Sequence, residues 1–322
     1  MITSSSHIDL SPLLRFERKS IAAALNLIED RRPARQAQAL ALLDACAALP
    51  ARAHIVGITG PPGVGKSSLI ARLIDLAVRQ QRSMAIVAVD PSSKVSGGAI
   101  LGDRNRMQVP AAAPVYMRSF AARNRLGGLS REAFAAVFLL RHFCDMVLVE
   151  TVGVGQSETD VAQVADTVVL VVQPFSGDLL QFIKAGVMEI PDVLAVNKAD
   201  DEALARKAMT DVKAALSYEQ HSWARPVLAV SAATNLHIED LDVAITAHHA
   251  QMMASGGLSR QREQQTLAWA VGEIVHEVGQ RGLSALGGAA GVATWWRRQP
   301  ANWSTLRRLT VLLGTLQWHA ES

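Results

Sequence analysis

Apolar residues in the first fifty positions recur at the spacing of helices. Two helices are predicted, separated by a break at Arg31-Arg32-Pro33, and the second runs from Ala34 to Ala48. Ser11-Pro12 fits the start of the helical region, because proline is tolerated in the first turn of a helix. The i, i+3, i+4, i+7 pattern of the first helix is carried by Ile21, Ala24, Leu25 and Ile28. Because each helix has one apolar side, we expect the pair to pack against the rest of the chain.

From His54 onward the pattern changes to short apolar runs that alternate with helical stretches. These runs are apolar throughout, which is typical of strands covered on both faces. The alternation predicts an α/β fold with a mostly parallel sheet covered by helices. The predicted strands are Ile55–Thr59, Ser83–Asp90, Met146–Glu150, Thr167–Gln173, Val193–Asn197 and Val227–Val230.

The strand pattern ends near Gly256. Ser259–Val278 is predicted to form one amphipathic helix, Gly282–Val292 a hinge rich in glycine and alanine, and Trp303–Gln317 a last helix. Three parts are therefore predicted: an N-terminal helical extension (1–50), a central α/β domain (51–255) and a C-terminal helical arm (256–322).

Composition narrows the class of protein. The 322 residues are 49% hydrophobic and 19% charged, which excludes a disordered chain. With 32 Lys and Arg against 29 Asp and Glu, the net charge of +3 does not imply nucleic-acid binding. Cys46 and Cys144 alone cannot form a disulfide framework and argue against a cysteine zinc site. We find no leader pattern and no membrane-spanning run, so a cytoplasmic location is predicted.

A phosphate-binding motif follows the first predicted strand. Residues 60–67 read Gly-Pro-Pro-Gly-Val-Gly-Lys-Ser and match G-x-x-x-x-G-K-S between a strand and an amphipathic stretch, Ser68–Val78. In such a loop, backbone N–H groups surround the phosphates and the helix N-terminus adds positive charge. Lys66 is predicted to reach the β- and γ-phosphates, and Ser67 to bind Mg²⁺.

Carboxylates end two other predicted strands. Glu150 begins Glu150-Thr151-Val152-Gly153, which resembles a Walker B strand with Glu where Asp is commoner, and Gly153 is predicted to offer its N–H to the terminal phosphate. Asp90 ends the second strand and is a second candidate for the metal site. The alternatives are a turn Asp before Pro91 and a surface carboxylate at Glu150.

A guanine-binding motif follows a later strand. Asn197-Lys198-Ala199-Asp200 fits N-K-x-D, and a carboxylate such as Asp200 accepts hydrogen bonds from guanine N1–H and the 2-amino group. Adenine lacks both donors and would leave the carboxylate unpaired, so guanine is favoured. Lys198 is predicted to lie along the base plane, and Asn197 to brace the loop. Backbone N–H groups near guanine O6 are predicted at Ser231, Ala232 and Ala233.

Together these segments resemble the MeaB/ArgK/MMAA family of P-loop GTPases. The resemblance is carried by GPPGVGKSS, AVDPSSKVSGGAILGDRNRM, LGG, LVETVGVGQSE, QPFSGDLLQFIKAGVMEI and NKAD, from about Arg15 to about Ile245. It implies a GTPase chaperone of an adenosylcobalamin-dependent acyl-CoA mutase, methylmalonyl-CoA mutase or a relative acting on isobutyryl- or hydroxyisobutyryl-CoA. It also implies a homodimer through the C-terminal arm, with no cobalamin site in this chain.

The resemblance assigns roles to individual residues. GTP or GDP contacts are implied at Pro61, Pro62, Gly63, Val64, Gly65, Lys66, Ser67 and Ser68, and the Mg²⁺ site at Ser67, Asp90, Asp103 and Glu150. A mobile loop of the family matches Gln173 to Ile190, where Asp178, Gln181 and Lys184 are predicted to couple the nucleotide to the client. The alternative for Lys184 is a solvated helix residue.

Two departures from the motif pattern shape the predicted activity. Val154, rather than a water-orienting Gln, follows the glycine turn, so GTP hydrolysis is predicted to be slow until a client completes the site; Gln156 lies nearby. Arg118–Arg125 is bulkier and more basic than the family's Ser/Gly-rich stretch before Leu126-Gly127-Gly128; it is expected as a loop near the family's mobile switch loops, where it would alter client choice or nucleotide affinity.

Two other classes of function remain open. A nickel-insertion GTPase would carry Cys or His ligands, but the chain has no Cys-x-x-Cys, and the pair His248-His249 is predicted to be a surface pair. A nucleic-acid-associated or protein-targeting GTPase would use the basic, aromatic tail around Trp295 and Trp296. Five of the six tryptophans lie in that tail, where aromatic anchors and arginines of a protein interface are the favoured interpretation.

Overall fold

A seven-stranded parallel sheet forms the centre of the computed structural model, which describes residues 8–91, 113–122, 129–151, 161–174, 187–216 and 223–317. The strand order is β3-β2-β4-β1-β5-β6-β7. Every pair of neighbouring strands is parallel, so the carboxyl ends of all seven strands lie at one edge. The strands are β1 His54–Thr59, β2 Met84–Pro91, β3 Val115–Ala122, β4 Met146–Thr151, β5 Thr167–Val172, β6 Val193–Val196 and β7 Val227–Ala229.

Ten helices cover the sheet within the described residues. The central strands β1, β5 and β6 are buried along their whole length, as expected for strands between two helical layers. The helices are α1 Ser11–Leu14, α2 Arg18–Glu29, α3 Pro33–Ala47, α4 Lys66–Arg79, α5 Arg131–Leu140, α6 Glu202–Leu216, α7 Ile238–Ala254, α8 Gly257–Ala285, α9 Gly288–Arg297 and α10 Thr305–Gln317. The predicted fold class is therefore confirmed, with bounds that differ from the prediction by a few residues.

The edge strand β3 was not predicted. The expected loop Arg118–Arg125 is wrong in its first half, because Arg118 to Ala122 belongs to β3 and pairs with β2 from Val87 to Pro91. Within the described residues β3 pairs with one strand only, so one of its edges is unpaired. Polar side chains are tolerated on such an edge strand, and its sequence therefore lacks the apolar run of a central strand. The Arg118 guanidinium bonds the Glu29 carboxylate of α2, which ties the N-terminal helices to the sheet.

The two ends of the chain pack on the same face of the sheet. One core cluster contains residues of α2, α3 and α5 together with Trp269, Trp296 and the apolar side of α10. Trp269 stacks on Phe134 of α5, with ring centroids 3.8 Å apart. Trp269 and Trp296 are therefore core residues of this chain and not anchors of an exposed interface.

The predicted hinge Gly282–Val292 is too long, because the break between two helices covers only Leu286 and Gly287. Helix α8 continues to Ala285 and α9 begins at Gly288, so most of this segment is helical. Alanine favours helix, which outweighs the glycines except at Gly287 and Gly288, where positive φ values mark the boundary between the two helices. A further irregular residue lies earlier, at Gly279 (φ 68°, ψ −178°), directly after the predicted helix end at Val278.

Among the described helices, none is long and apolar enough to cross a membrane.

Candidate functional site

The phosphate loop lies at the carboxyl edge of the sheet, between the end of β1 at Thr59 and the start of α4 at Lys66. Gly60, Gly63 and Gly65 have φ values of 142°, 79° and 92°, a region that favours glycine. A Cβ on Gly60 would lie 2.1 Å from the Val171 carbonyl oxygen, so no larger residue fits. The glycines of the motif are therefore required by the backbone conformation of this loop.

The Lys66 ammonium folds back over the loop. Its Nζ donates to the carbonyl oxygens of Gly60 at 2.7 Å and Pro61 at 3.0 Å, and the residue is 8% exposed. A buried ammonium needs such acceptors, because burial without them is costly. Lys66 thus lies inside the loop that the sequence assigns to the phosphates.

Two of the four predicted metal-site residues meet directly. Ser67 Oγ, in the first turn of α4, donates to Glu150 Oε1 of β4 at 2.7 Å. Hydroxyl and carboxylate oxygens are ligands that Mg²⁺ prefers, and two protein ligands leave positions for water and phosphate oxygens, so this donor set fits the ion. Asp90 lies near the carboxyl end of β2, with its backbone beside Ala121 of β3.

The guanine-motif residues join three loops. Asn197 is 1% exposed; its Nδ2 donates to the Val64 carbonyl at 2.8 Å, and its Oδ1 accepts from the Ala232 N–H at 3.1 Å. A Cβ on Gly65 would lie 2.5 Å from Asn197 Nδ2, so the close approach of this side chain requires glycine there. Asn197 therefore ties the phosphate loop to the loop after β7, in the bracing role predicted for it.

Lys198 and Asp200 lie on the exposed side of the same loop. Lys198 has a positive φ of 61° and its Nζ donates to the Gly63 carbonyl at 2.7 Å and to Gln173 Oε1 at 2.6 Å. Asp200 Oδ1 accepts from Ser231 Oγ at 2.6 Å. Because the hydroxyl binds one oxygen, the carboxylate is oriented before any base arrives.

Some residues of this arrangement were not found from the sequence. Arg72 of α4 donates to the carbonyls of Ala232 at 2.7 Å and Ala233 at 3.3 Å, which braces the predicted base-binding loop. Thr234 Oγ1 lies 3.4 Å from Asp200 Oδ1. These contacts join residues far apart in the sequence, and an arginine on the polar side of a helix carries no motif signal.

Of the other predicted site residues, some lie within the described residues and some lie outside them. Pro61, Pro62 and Val64 lie in the phosphate loop, and Ser68 lies in the first turn of α4. Outside the described residues lie Asp103, Gly153, Gln156, Asp178, Gln181 and Lys184. Their roles stay predictions.

The predicted surface pair His248-His249 is wrong. His248 is 4% exposed, with Nδ1 2.8 Å from Thr167 Oγ1 and Nε2 3.3 Å from Asp192 Oδ1. His249 stacks on His54, with ring centroids 4.1 Å apart. Helix α7 packs on β5 and β6 through this side, which helical geometry alone does not show. Within the described residues, no group of three or more His, Cys, Asp or Glu side chains is placed to hold a metal ion.

The geometry defines a class. A parallel sheet with G-x-x-x-x-G-K-S between β1 and α4, and an N-K-x-D loop that contacts it through Asn197, is the arrangement of a P-loop GTPase. The chain belongs to the MeaB family, since the model of methylmalonyl Co-A mutase-associated GTPase MeaB matches residues 21–286. The resemblance in the motifs is thereby confirmed, and the protein is a GTPase that binds guanine nucleotides.

Several relatives are similar over most of the chain. Identity is 41% over 257 residues with a putative GTPase of Pyrococcus horikoshii, covering 78% of this chain and 80% of the relative. It is 37% over 269 residues with the GTPase ArgK of Escherichia coli, covering 81% of each. It is 33% over 284 residues with the mitochondrial methylmalonic aciduria type A homolog of Caenorhabditis briggsae, covering 83% of this chain and 69% of that protein.

A solved structure shares the fold. The crystal structure of a LAO/AO transport system kinase superposes with a TM-score of 0.71 at 27% identity, covering 98% of this chain and 100% of the other. The helices at both ends therefore belong to the shared architecture.

Proposed function

We propose that the protein is a GTP-driven switch that acts as a chaperone of an adenosylcobalamin-dependent acyl-CoA mutase. The contact that supports the switch is the Asn197 bridge, which links the phosphate loop at Val64 to the base loop at Ala232. Because of this bridge, the loop proposed to bind the phosphates and the loop proposed to bind the base are directly connected to each other. The mutase as client rests on the MeaB family description.

The described residues have distinct roles in this proposal. Lys66 leaves the carbonyls of Gly60 and Pro61 for the phosphates, which offer a stronger, charged acceptor. Ser67 and Glu150 would hold Mg²⁺, with Asp90 and Asp103 as further candidates; the ion neutralises charge on the phosphates. Asp200, oriented by Ser231, accepts the two guanine donors.

The nucleotide state then controls the client. In the γ-phosphate state, the segments around Gly153 and Asp178 to Lys184 are proposed to order, and hydrolysis releases them. This cycle gates loading of the mutase cofactor and its protection or reactivation. A homodimer through the C-terminal helices and hydrolysis that is slow without the client belong to the same proposal and rest on the family resemblance.

The experiment measures GTP hydrolysis by the full chain, alone and with purified acyl-CoA mutases specific for methylmalonyl-, isobutyryl- and hydroxyisobutyryl-CoA. Stimulation by one mutase is expected, because the client is proposed to complete the site. A Lys66→Ala variant, which loses the phosphate contact, is the control and should stay inactive with every mutase. Equal rates with and without each mutase would contradict the chaperone proposal.

A further inference from the structure

The segment Val161–Asp166 follows the predicted γ-phosphate turn at Glu150–Gly153 in the chain and is fixed to β1. Asp166 N–H donates to the Ile55 carbonyl at 2.7 Å, and Asp166 Oδ2 accepts from the Ile55 N–H at 2.8 Å. Val161 lies so close to the strand that a Cβ on Gly57 would be 2.4 Å from its Cγ2. β1 leads directly into the phosphate loop, so this segment contacts the strand that ends at the motif.

Helix α8 holds the same segment from the other side. Gln265 Nε2 donates to the carbonyls of Ala162 at 2.8 Å and Ala165 at 2.7 Å, and Gln261 Nε2 donates to Ala165 at 3.1 Å. Arg262 donates to both carboxylate oxygens of Asp166, at 2.7 Å and 2.5 Å. We call these three side chains, Gln261, Arg262 and Gln265, the α8 clamp.

The α8 clamp is held by a rigid support. Asp166 is fully buried, and Arg262 also donates to the Ala53 carbonyl at 2.8 Å, just before β1. One turn after Gln265, Trp269 is 3% exposed and stacked on Phe134 of α5. Side chains locked in this way hold their partners within a narrow range of positions.

From these contacts we infer that Gln265, with its clamp partners, is a positioning residue for GTP hydrolysis. It holds Val161–Asp166, the first described residues after the predicted γ-phosphate turn, in one position against β1. We propose that a fixed position for these residues favours the arrangement of the turn that binds the γ-phosphate and so raises the population that is competent to bind it. This inference rests on the proposed role of the Glu150–Gly153 turn, but it does not depend on the mutase as client.

The chemistry of Gln265 provides a sharp test. Gln265→Glu keeps the shape but places carboxylate oxygens against two carbonyl oxygens, whereas Gln265→Lys retains a donor. We expect Gln265→Glu to lower kcat for GTP hydrolysis about five- to tenfold, as expected for two lost hydrogen bonds. Gln265→Lys should stay within about twofold of the unchanged protein. Gln264→Glu, the same change at the exposed neighbouring position, is the matched control and should leave kcat unchanged.

Nucleotide affinities distinguish a positioning role of Gln265 from a purely structural role. Affinity for a non-hydrolysable GTP analogue should fall in Gln265→Glu while affinity for GDP stays within about twofold, because GDP has no γ-phosphate to be positioned. Unchanged kcat in Gln265→Glu would overturn the inference. Equal losses of analogue and GDP affinity would also overturn it, since they indicate a merely structural role.

A further measurement covers the case in which Gln265→Glu does not fold. In the unchanged protein, hydrogen exchange of the backbone amides of residues 161–166 should be slower with the GTP analogue than with GDP. Identical exchange in the two states would overturn the inference. Because all these measurements use the chain without a client, a failure of the mutase experiment leaves them interpretable.

Discussion

At the scale of single residues, two glycines allow approaches that the site requires. Gly60 admits the Val171 carbonyl and Gly57 admits Val161, in both cases at distances that no Cβ tolerates. Gly60 belongs to a motif visible in the sequence. Gly57 lies in the middle of an apolar strand, where glycine is otherwise unfavourable, and only its neighbour explains it.

Gly57→Ala should destabilise the fold by about 1–3 kcal/mol, because the new methyl overlaps the branched Val161 side chain in a packed interior. Urea unfolding measures this difference. Gly272→Ala in α8 is the control: apart from the helix's own backbone nothing lies within 4 Å of its Cβ position, and alanine favours helix, so stability should stay level or rise by about 0.5–1 kcal/mol. A Gly57→Ala protein as stable as the original would show that Val161 can move.

Asp200→Asn should reverse the choice of base. The amide loses one of two acceptors and gains a donor, so it repels the guanine 2-amino group and matches the carbonyl that xanthine has at that position. We expect GTP affinity to fall by about a factor of 100 or more and affinity for xanthosine triphosphate to rise. Competition binding with both nucleotides measures this, and Asp201→Asn, one position further on, should change neither affinity. Unchanged GTP binding by Asp200→Asn would exclude Asp200 from base recognition.

At the scale of elements, α8 joins the nucleotide-binding sheet to the terminal helices. Its first half carries the α8 clamp and Trp269, and its second half, beyond Gly279, leads into α9. The buried pair Arg262–Asp166 connects this helix to the chain between Val161 and β5. This pair therefore attaches α8 to the residue that directly precedes β5.

Arg262→Met should lower the free energy of unfolding by about 3–5 kcal/mol, because it leaves the fully buried Asp166 carboxylate without its cation. In the double variant Asp166→Asn/Arg262→Met, the charge is gone and part of the loss should be recovered. Urea unfolding of both single variants and the double variant completes a cycle. Additive losses would mean that the pair contributes no coupling.

At the scale of the whole molecule, burial shifts the pKa values of several titratable groups. Burial holds the pKa of His54 well below its ordinary value, with further lowering by the nearby His249 and His248. Burial, followed by the Arg141 charge, lowers the pKa of His142 to about 4. Burial also raises the pKa of Asp192 to about 6. The unfolded chain therefore binds more protons at the two histidines, and fewer at Asp192, than the folded chain does.

Stability should therefore fall as pH falls. Below about pH 6.5 both histidines become protonated in the unfolded chain but stay neutral in the folded chain, so unfolding is favoured. Asp192 has the opposite effect between about pH 6 and pH 4, because it binds a proton in the folded chain first. His142 alone accounts for a loss of about 2–3 kcal/mol between neutral pH and its folded pKa. Urea unfolding across this range measures the slope.

His142→Gln is the control for this effect. Its amide still donates to the Pro50 carbonyl, which lies 3.2 Å from His142 Nδ1, but it does not titrate. The slope of stability against pH should become smaller in this variant. An unchanged slope would show that His142 does not drive the loss.

The sequence by itself determined the class of fold and the positions of the nucleotide motifs. The apolar runs of buried strands are local features, because each is specified by residues adjacent in the chain. The same holds for motif loops such as Gly60–Ser67 and Asn197–Asp200. Their order along the chain then places them at one edge of a parallel sheet.

Only the tertiary structure decided how these local elements are joined. The Asn197 bridge, the Arg72 brace, the α8 clamp and the burial of His248 all connect residues far apart in sequence, and each depends on which side of a helix meets the sheet. The edge strand β3 likewise depends on pairing with β2 rather than on its own pattern. Periodicity shows that a helix has an apolar side, but the packing partners determine what that side contacts.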